Sequence, residues 1–443
     1  MGRYRPPWFF AATSVILILI LAEGATAMFQ DIAADRYTSV KPYATCTTYD
    51  MTFIRWYPDT FQPEILRYAN ASSFLATGAY DHELTVKNIP PAEGIRLTGL
   101  EPATRYHYTL ISNTDNSGDR SFLTFPAEGS CSFVIYGDTR EQAPYFTQLE
   151  RHRVVADRIA VEPGISFVIN TGDLVSDAGD EDEWDRFFIA AGNLTGTTTY
   201  AAVRGNHDAD QALFKNLFGT GMPYSFDCGD VHIAVLDSGS DAAIPNADQA
   251  RWLETDLASS DRWKIVLLHH PLYTSEPNHF GGFTNLQRMF EPVFFPGNVS
   301  VVFNAHVHAY ERIEHAGITY LTEGRGGAPA YRLDDNGMEG SQRRQENSLG
   351  YSRITTDPVN GTMTIEVITI AEVSRDLRTI SRFYSEETIL EHIVLVRPDR
   401  GSSIREIPDS PVLGLSLPFC GIGVAHSGRG NRSFFLAPFD FCP

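Results

Sequence analysis

Among charged residues this chain is poorest in lysine: only Lys41, Lys87, Lys215 and Lys264 occur in 443 residues, and the formal net charge is −20. Nucleic acids and anionic bilayers are bound through clustered cations, so the composition excludes a nucleic-acid-binding surface and an anionic-membrane partner. Long apolar runs are missing after residue 27. No later segment reaches the roughly 20 residues that a bilayer-spanning helix needs, which excludes a transmembrane helix in the mature chain. Cysteine is confined to Cys46, Cys131, Cys228, Cys420 and Cys442, an odd count that excludes complete pairing within one chain. Internal repeats and low-complexity tracts are absent too.

With 43% hydrophobic and 20% charged residues, the chain has the make-up of a globular protein, and its length suits two or three domains. Arg3 and Arg5 precede an apolar run from Trp8 to Ala22, and Ala25-Thr26-Ala27 supplies the small residues a signal peptidase needs. Residues 1–27 are therefore predicted to be a signal peptide cleaved near Ala27. The mature chain is expected to be secreted or held at the cell surface, where disulfides persist. A Cys420–Cys442 bridge is expected to close the Pro- and Gly-rich extension over 401–443, contributing about 3 kcal/mol. N-glycosylation sequons at Asn70, Asn193, Asn298, Asn360 and Asn431 accord with export.

Between about residues 34 and 125, short alternating runs recur between turns: Met51–Trp56, Ile65–Tyr68, Glu83–Lys87, Gly94–Leu97 and Tyr106–Ile111. That spacing is the pattern of a β-sandwich. Within it, Leu100-Glu-Pro-Ala-Thr-Arg-Tyr-His-Tyr108 resembles the corner before a late strand of fibronectin type III domains, where a tyrosine hydroxyl closes a backbone turn. Residues 28–128 are assigned to such a domain, as a spacer or packing partner.

After a linker at 126–130 the texture changes. Apolar runs at Cys131–Tyr136, Ile165–Asn170, Val231–Leu236, Trp263–Leu268 and Val299–Phe303 each end in a polar motif and alternate with helical spacing over 148–160 and 247–258. Nearly continuous apolar strands belong to sheets buried on both faces. The class over 129–400 is thus α/β, with functional residues expected at strand ends. The polar run from Asp334 to Asn347 reads as a loop, and strands resume at Met363–Ile370 and Ile389–Val396.

The strand-end residues are Asp138, Asp173, Asn206 with His207, His269 with His270, and His306 with His308. Mixed carboxylate, amide and imidazole donors suit Mn, Fe or Zn, and a two-metal site needs a donor that reaches both ions. Asp173 is the candidate bridge. The ordered set Gly137-Asp138, Gly172-Asp173, Gly205-Asn-His-Asp208, His269 and His306-Val-His308 resembles the calcineurin-like metallophosphoesterase superfamily over roughly 132–325. Val307-His308-Ala-Tyr-Glu-Arg312 and the preceding sandwich are similar to its purple acid phosphatase branch.

The resemblance implies a four-layer α/β/β/α catalytic domain with two divalent or mixed-valence metal ions. Asp138, Asp173 and His308 would hold the first, and Asp173, Asn206, His269 and His306 the second. It also implies an acid in His207, oriented by Asp208, and a substrate contact in His279. Two positions depart from the pattern. Arg140 stands where the superfamily commonly has a histidine ligand, and Ser176 stands where purple enzymes place a tyrosine. The first ion is left with three recognised protein ligands. Arg140 reads either as a phosphate-binding fork or as a structural partner of carboxylates such as Glu141. His270 and His232 read as packing residues, Glu311 and Arg312 as a structural pair, and Gly324–Gly327 as a glycine loop near the site.

The expected function is an exported phosphoesterase that cleaves phosphomonoesters by attack of a metal-activated hydroxide. A phosphodiesterase or nucleotidase is the nearer alternative, and a catalytically degenerate cell-surface binding protein the more distant one.

Overall fold

A computed structural model describes residues 40–397 apart from positions 59, 114, 240–246 and 377. The expected signal peptide, the 401–443 extension and the Cys420–Cys442 bridge lie outside those residues. Among the described residues no helix is long and apolar enough to cross a membrane.

The N-terminal region holds β1 (Lys41–Thr45), β2 (Met51–Tyr57), β3 (Ile65–Asn70), helix α1 (Ala71–Thr77), β4 (His82–Thr85), β5 (Ile95–Thr98), β6 (Arg105–Ile111) and β7 (Arg120–Leu123). The strands form two antiparallel sheets, ordered β1-β2-β5 and β4-β3-β6-β7. Alternation does the sorting: on β5, Ile95 and Leu97 are buried while Arg96 and Thr98 face solvent. Trp56, Leu66, Tyr108 and Phe122 fill the space between the sheets. As the sequence suggests, the Tyr106 hydroxyl closes a turn, accepting the Glu101 backbone N–H at 2.9 Å. The sandwich is docked against the rest of the chain rather than tethered to it. Tyr43 donates to the Leu217 carbonyl at 2.8 Å, and Tyr57 stacks on Phe188 with ring centroids 4.4 Å apart.

The remainder comprises β8 (Ser132–Tyr136), α2 (His152–Ala160), β9 (Phe167–Asn170), α3 (Glu181–Ala190), α4 (Gly192–Thr195), β10 (Thr199–Ala202), α5 (Gln211–Phe218), β11 (Tyr224–Cys228), β12 (Val231–Val235), α6 (Ala247–Ala258), β13 (Trp263–Leu267), α7 (Thr284–Phe294), β14 (Val299–Asn304), β15 (Tyr310–His315), β16 (Ile318–Glu323), β17 (Ser341–Gln345), β18 (Ser348–Asp357), β19 (Thr362–Val373) and β20 (Ile380–Val396). A six-stranded sheet runs β10-β9-β8-β18-β19-β20 and a seven-stranded sheet β11-β12-β13-β14-β16-β15-β17. Strands β8 to β10 pair in parallel, as do β12, β13, β14 and β16.

Period-2 patterning assigns each side chain to a layer. Phe133, Ile135, Phe167 and Ile169 face Ile233, Val235, Ile265 and Leu267 in a core between the sheets. Their neighbours Val134, Tyr136 and Val168 pack outward on Val155, Ile159, Phe187 and Phe188 of α2 and α3. On the other outer face, Ala234, Val266 and Val302 meet Leu253 and Leu257 of α6 and Leu286, Phe290 and Phe294 of α7. Four layers result, helix, sheet, sheet, helix. A Cys131–Cys228 disulfide joins the start of β8 to the end of β11, and so one sheet to the other.

The polar run 334–347 is not wholly a loop, since Ser341–Gln345 is strand β17. As the outer strand beside β15 it satisfies its ladder on one side and needs no buried face. Strand β20 begins at Ile380, well before the expected Ile389, and stays mostly exposed along its length as the edge beside β19.

His232 is structural, as expected: its ring bridges Asp227 of β11 at 2.7 Å and Asp256 of α6 at 2.8 Å. Burial opposes its charged form, but the two carboxylates outweigh burial and lift it to about 9. A raised value in the folded state means full stabilisation below the ordinary value near 6.5 and loss as pH climbs through 9. Replacing His232 by Asn should therefore lower stability by about 2 kcal/mol at pH 6 and by much less at pH 10, read from denaturant midpoints at the two pH values.

Candidate metal centre

Six candidate donors follow the C-terminal ends of parallel strands: Asp138 after β8, Asp173 after β9, Asn206 after β10, His269 after β13, and His306 and His308 after β14. One group is linked to Asp173 Oδ1 through His269. His269 Nε2 lies 3.3 Å from that oxygen and 3.0 Å from Asn206 Oδ1, and His306 Nδ1 lies 2.9 Å from Asn206 Oδ1. Donors about 2.1 Å from a tetrahedral ion stand roughly 3.4 Å from one another, so these edges suit one cation. His269 donates from Nδ1 to the Thr171 carbonyl at 2.9 Å. A carbonyl can only accept, so in the neutral ring this bond fixes the tautomer and turns the Nε2 lone pair to the site. Burial disfavours the charged form of His269, yet Asp173 outweighs it and raises the imidazole to about 9. Burial and His269 hold His306 down to about 3, in its neutral ligating form.

The other group is Asp138, Asp173 and His308, whose donor atoms lie within 4.8 Å of one another. His308 donates from Nδ1 to the Pro329 carbonyl at 2.6 Å, which leaves Nε2 3.8 Å from Asp138 Oδ1. Asp138 is fully buried, and neither carboxylate oxygen has a hydrogen-bond partner. Burial, helped by the Asp173 charge and opposed by His269, pushes this carboxyl well above its usual range. Orphaned, buried carboxylate oxygens facing an imidazole lone pair are the chemistry of a cation site. Three donors, Asp138 (φ 58°), Asp173 (φ 54°) and His306 (φ 66°), adopt left-handed backbone, which costs a non-glycine residue about 1–3 kcal/mol.

As the sequence implies, neither departing position adds a fourth protein ligand to this group, which would hold the first ion. Ser176 turns its hydroxyl to the Glu141 carbonyl at 2.8 Å, and its own carbonyl accepts His207 Nδ1–H at 2.7 Å. At the other departing position stands Arg140, with Nε 3.6 Å from Asp173 Oδ2 and a side chain 14% exposed. The structural pairing of Arg140 with Glu141 is not realised. Glu141 is held instead by a bidentate Arg186, both contacts at 2.8 Å.

Residues 132–310 match the family model of calcineurin-like phosphoesterases. This segment is a calcineurin-like phosphoesterase domain. Purple acid phosphatase 21 of Arabidopsis thaliana is 27% identical over 263 residues, covering 53% of this chain and 57% of the relative. Purple acid phosphatase 23 of the same plant is 30% identical over 294 residues, covering 53% and 62%. The chain thus spans little more than half the length of such relatives. Among solved structures, a purple acid phosphatase from yellow lupin seeds superposes with a TM-score of 0.64 at 17% identity, over 81% of this chain and 75% of that one. PhoD superposes at 0.61 with 12% identity, over 80% and 89%. Both likenesses extend the shared fold well beyond 132–310. Along this edge of the fold, the two donor groups above are the residues able to hold divalent cations.

Within the phosphoesterase domain the remaining site residues fall as follows. His207 sits at the rim, its Nε2 3.9 Å from Asp173 Oδ2. Asp208 does not orient that ring: its buried carboxylate accepts the backbone N–H groups of Leu174 and Gly205 at 3.0 Å, and the Ser176 carbonyl holds His207 instead. Burial and the Asp173 charge raise Asp208 to about 7. His279 closes a short 3-10 turn, bonded to Glu276 at 2.8 Å, with its ring centroid 5.5 Å from that of His306. His270 packs against His306 and bonds Ser238 at 2.8 Å, in keeping with a supporting role.

Glu311 and Arg312 are structural but not a pair. Glu311 accepts the Ser275 N–H at 2.8 Å and so anchors the loop that carries His279, while Arg312 binds Glu391 at 2.7 Å. The glycine loop backs the first group rather than cradling an anion, for Gly326 N donates to the Gly137 carbonyl at 2.7 Å and Ala328 N to that of Asp138 at 2.8 Å. Sequence reasoning missed Tyr331, whose ring lies 4.1 Å from His308 and whose hydroxyl faces Arg140. No strand-end motif marks it.

A β-carbon on Gly205 would collide with the backbone nitrogen and carboxylate of Asp173. Gly205→Ala should therefore lower the metal retained after gel filtration by at least about tenfold, the scale of a disturbed ligand shell, while the far-UV dichroism stays native. Mass-spectrometric metal analysis measures it.

Proposed function

We propose that this chain is an exported, metal-dependent phosphatase that hydrolyses phosphomonoesters, with residues 28–128 as a fibronectin type III-like domain and 129–400 as the catalytic domain. The observation that carries the reading is the position of Asp173 between two donor groups, with Arg140 and His207 facing its Oδ2. Bound at those donors, divalent cations would supply positive charge to polarise phosphoryl oxygens and acidify water.

The chain's own groups do the rest. Arg140 offers a planar fork to non-bridging phosphoryl oxygens. His207, held through Nδ1–H on Ser176, presents Nε2 toward the leaving oxygen. In the hydrolysis a water oxygen joins phosphorus, the ester P–O bond breaks, and protonated His207 gives its Nε2 proton to the departing alkoxide. His279, beside His306 at the rim, is the second substrate contact. Asp208 acts at one remove, through the backbone amides of the turns that carry Asp173 and His207.

Turnover of an aryl phosphate by the full chain, supplied in turn with Mn, Zn or Fe, tests the reading. His207→Ala should reduce kcat by about 10²–10⁴-fold with metal content unchanged. Wild-type turnover no greater than that of His207→Ala would leave a surface-binding role as the better account. Faster cleavage of a bis-aryl diester than of the monoester would instead favour the phosphodiesterase reading.

A further inference from the structure

Two buried side chains of opposite sign that carry unpartnered polar atoms stand beside Asp173. Asp138 has both carboxylate oxygens without a hydrogen-bond partner, and the Nε of Arg140 is likewise buried and without one. The Arg140 charge eases the burial of Asp138 but no hydrogen bond joins the two, and Arg140 is held in place. Its backbone N–H donates to the Asp173 carbonyl at 3.0 Å, and its side chain is only 14% exposed. A cation on Asp138, Asp173 and His308 would therefore stand beside a fixed guanidinium, and like charges in a water-poor site repel strongly. Ser176, at the position of the missing ligand, is turned away and adds no compensating negative charge. The group on the Oδ1 side has no such conflict. Asn206, His269 and His306 complete it, and no arginine faces it among the described ion pairs.

We propose that Arg140 makes occupancy of the first metal position depend on a phosphoryl anion: Asp138, Asp173 and His308 bind a divalent cation tightly when phosphate lies against Arg140, and weakly without it. A phosphate dianion satisfies both neighbours at once, taking the fork of Arg140 through two oxygens and neutralising the cation through another. The resting chain then holds one tightly bound ion, on the Oδ1 side, and the second loads together with substrate. Linkage makes the effect reciprocal, so the cation must tighten phosphate by the same factor that phosphate tightens the cation. This inference rests on the phosphoesterase reading and adds an order of loading to it.

Calorimetric titration of Mn²⁺ into the chelator-stripped full chain, with and without inorganic phosphate, tests it without recourse to activity. Wild type should show one tight site in both buffers and a second whose affinity rises about tenfold or more with phosphate, within the usual range of coupling between sites. Arg140→Ala should bind the second Mn²⁺ more tightly than wild type in phosphate-free buffer, with the gain from phosphate reduced to below about threefold. Arg140→His, which restores an imidazole there, should fill both sites without phosphate. Two equally tight sites in phosphate-free wild type would overturn the inference, as would an Arg140→Ala chain with unchanged affinities. The wild-type comparison needs no variant to fold. Coupling without aryl phosphate turnover would sink the phosphatase reading and leave this one standing, and turnover without coupling would do the reverse.

Discussion

The carboxylate of Asp173 is almost wholly buried, and its two oxygens face different neighbours. Oδ1 meets the His269 imidazole and accepts the His207 backbone N–H at 3.0 Å, while Oδ2 faces Arg140 and the rim. A buried carboxylate is held in its charged form only when its surroundings repay lost hydration. Burial alone would raise this group, but His269 and then His207 outweigh it and keep it well below the usual carboxylate range. The neighbouring turns follow from this requirement. Gly172 and Gly205 come together behind the carboxylate because a side chain on Gly205 would occupy its place, and Asp208 ties the same turns through their amides.

The layered fold supplies the rigidity that such a site demands. Strands β8 to β10 in one sheet and β13 and β14 in the other end at the same edge of the inter-sheet core, so donors from separate segments meet without long loops. Left-handed backbone at Asp138, Asp173 and His306 is tolerated because apolar strands anchor each turn. The sandwich, docked through Tyr43 and Tyr57, buttresses the helical layer behind the first sheet.

Much of this was legible in the sequence because it is local. An apolar run ending in a polar residue marks a buried strand and its exit, and that pattern, narrowed by the family resemblance, picked out Asp138, Asp173, Asn206, His269, His306 and His308. The Tyr106 corner was legible for the same reason, with its hydroxyl and its turn five residues apart. What depended on pairing over distance was not. Arg140 and Glu141 are adjacent in sequence but face different partners, and Asp208 turned to backbone amides rather than to its neighbour. The Cys131–Cys228 bridge crosses between sheets over 97 positions. Tyr331 reaches Arg140 from a loop with no pattern of its own, and β17 escaped notice because an edge strand needs no apolar face.

The account stands or falls on Asp173 serving both donor groups. Its most direct test is metal content per chain in Asp173→Asn, measured by mass spectrometry after equilibration with Mn²⁺ and phosphate. A shared carboxylate predicts that both ions are lost together, with far-UV dichroism unchanged. A variant that kept the wild-type metal content, or that lost one ion and held the other at full affinity, would contradict it.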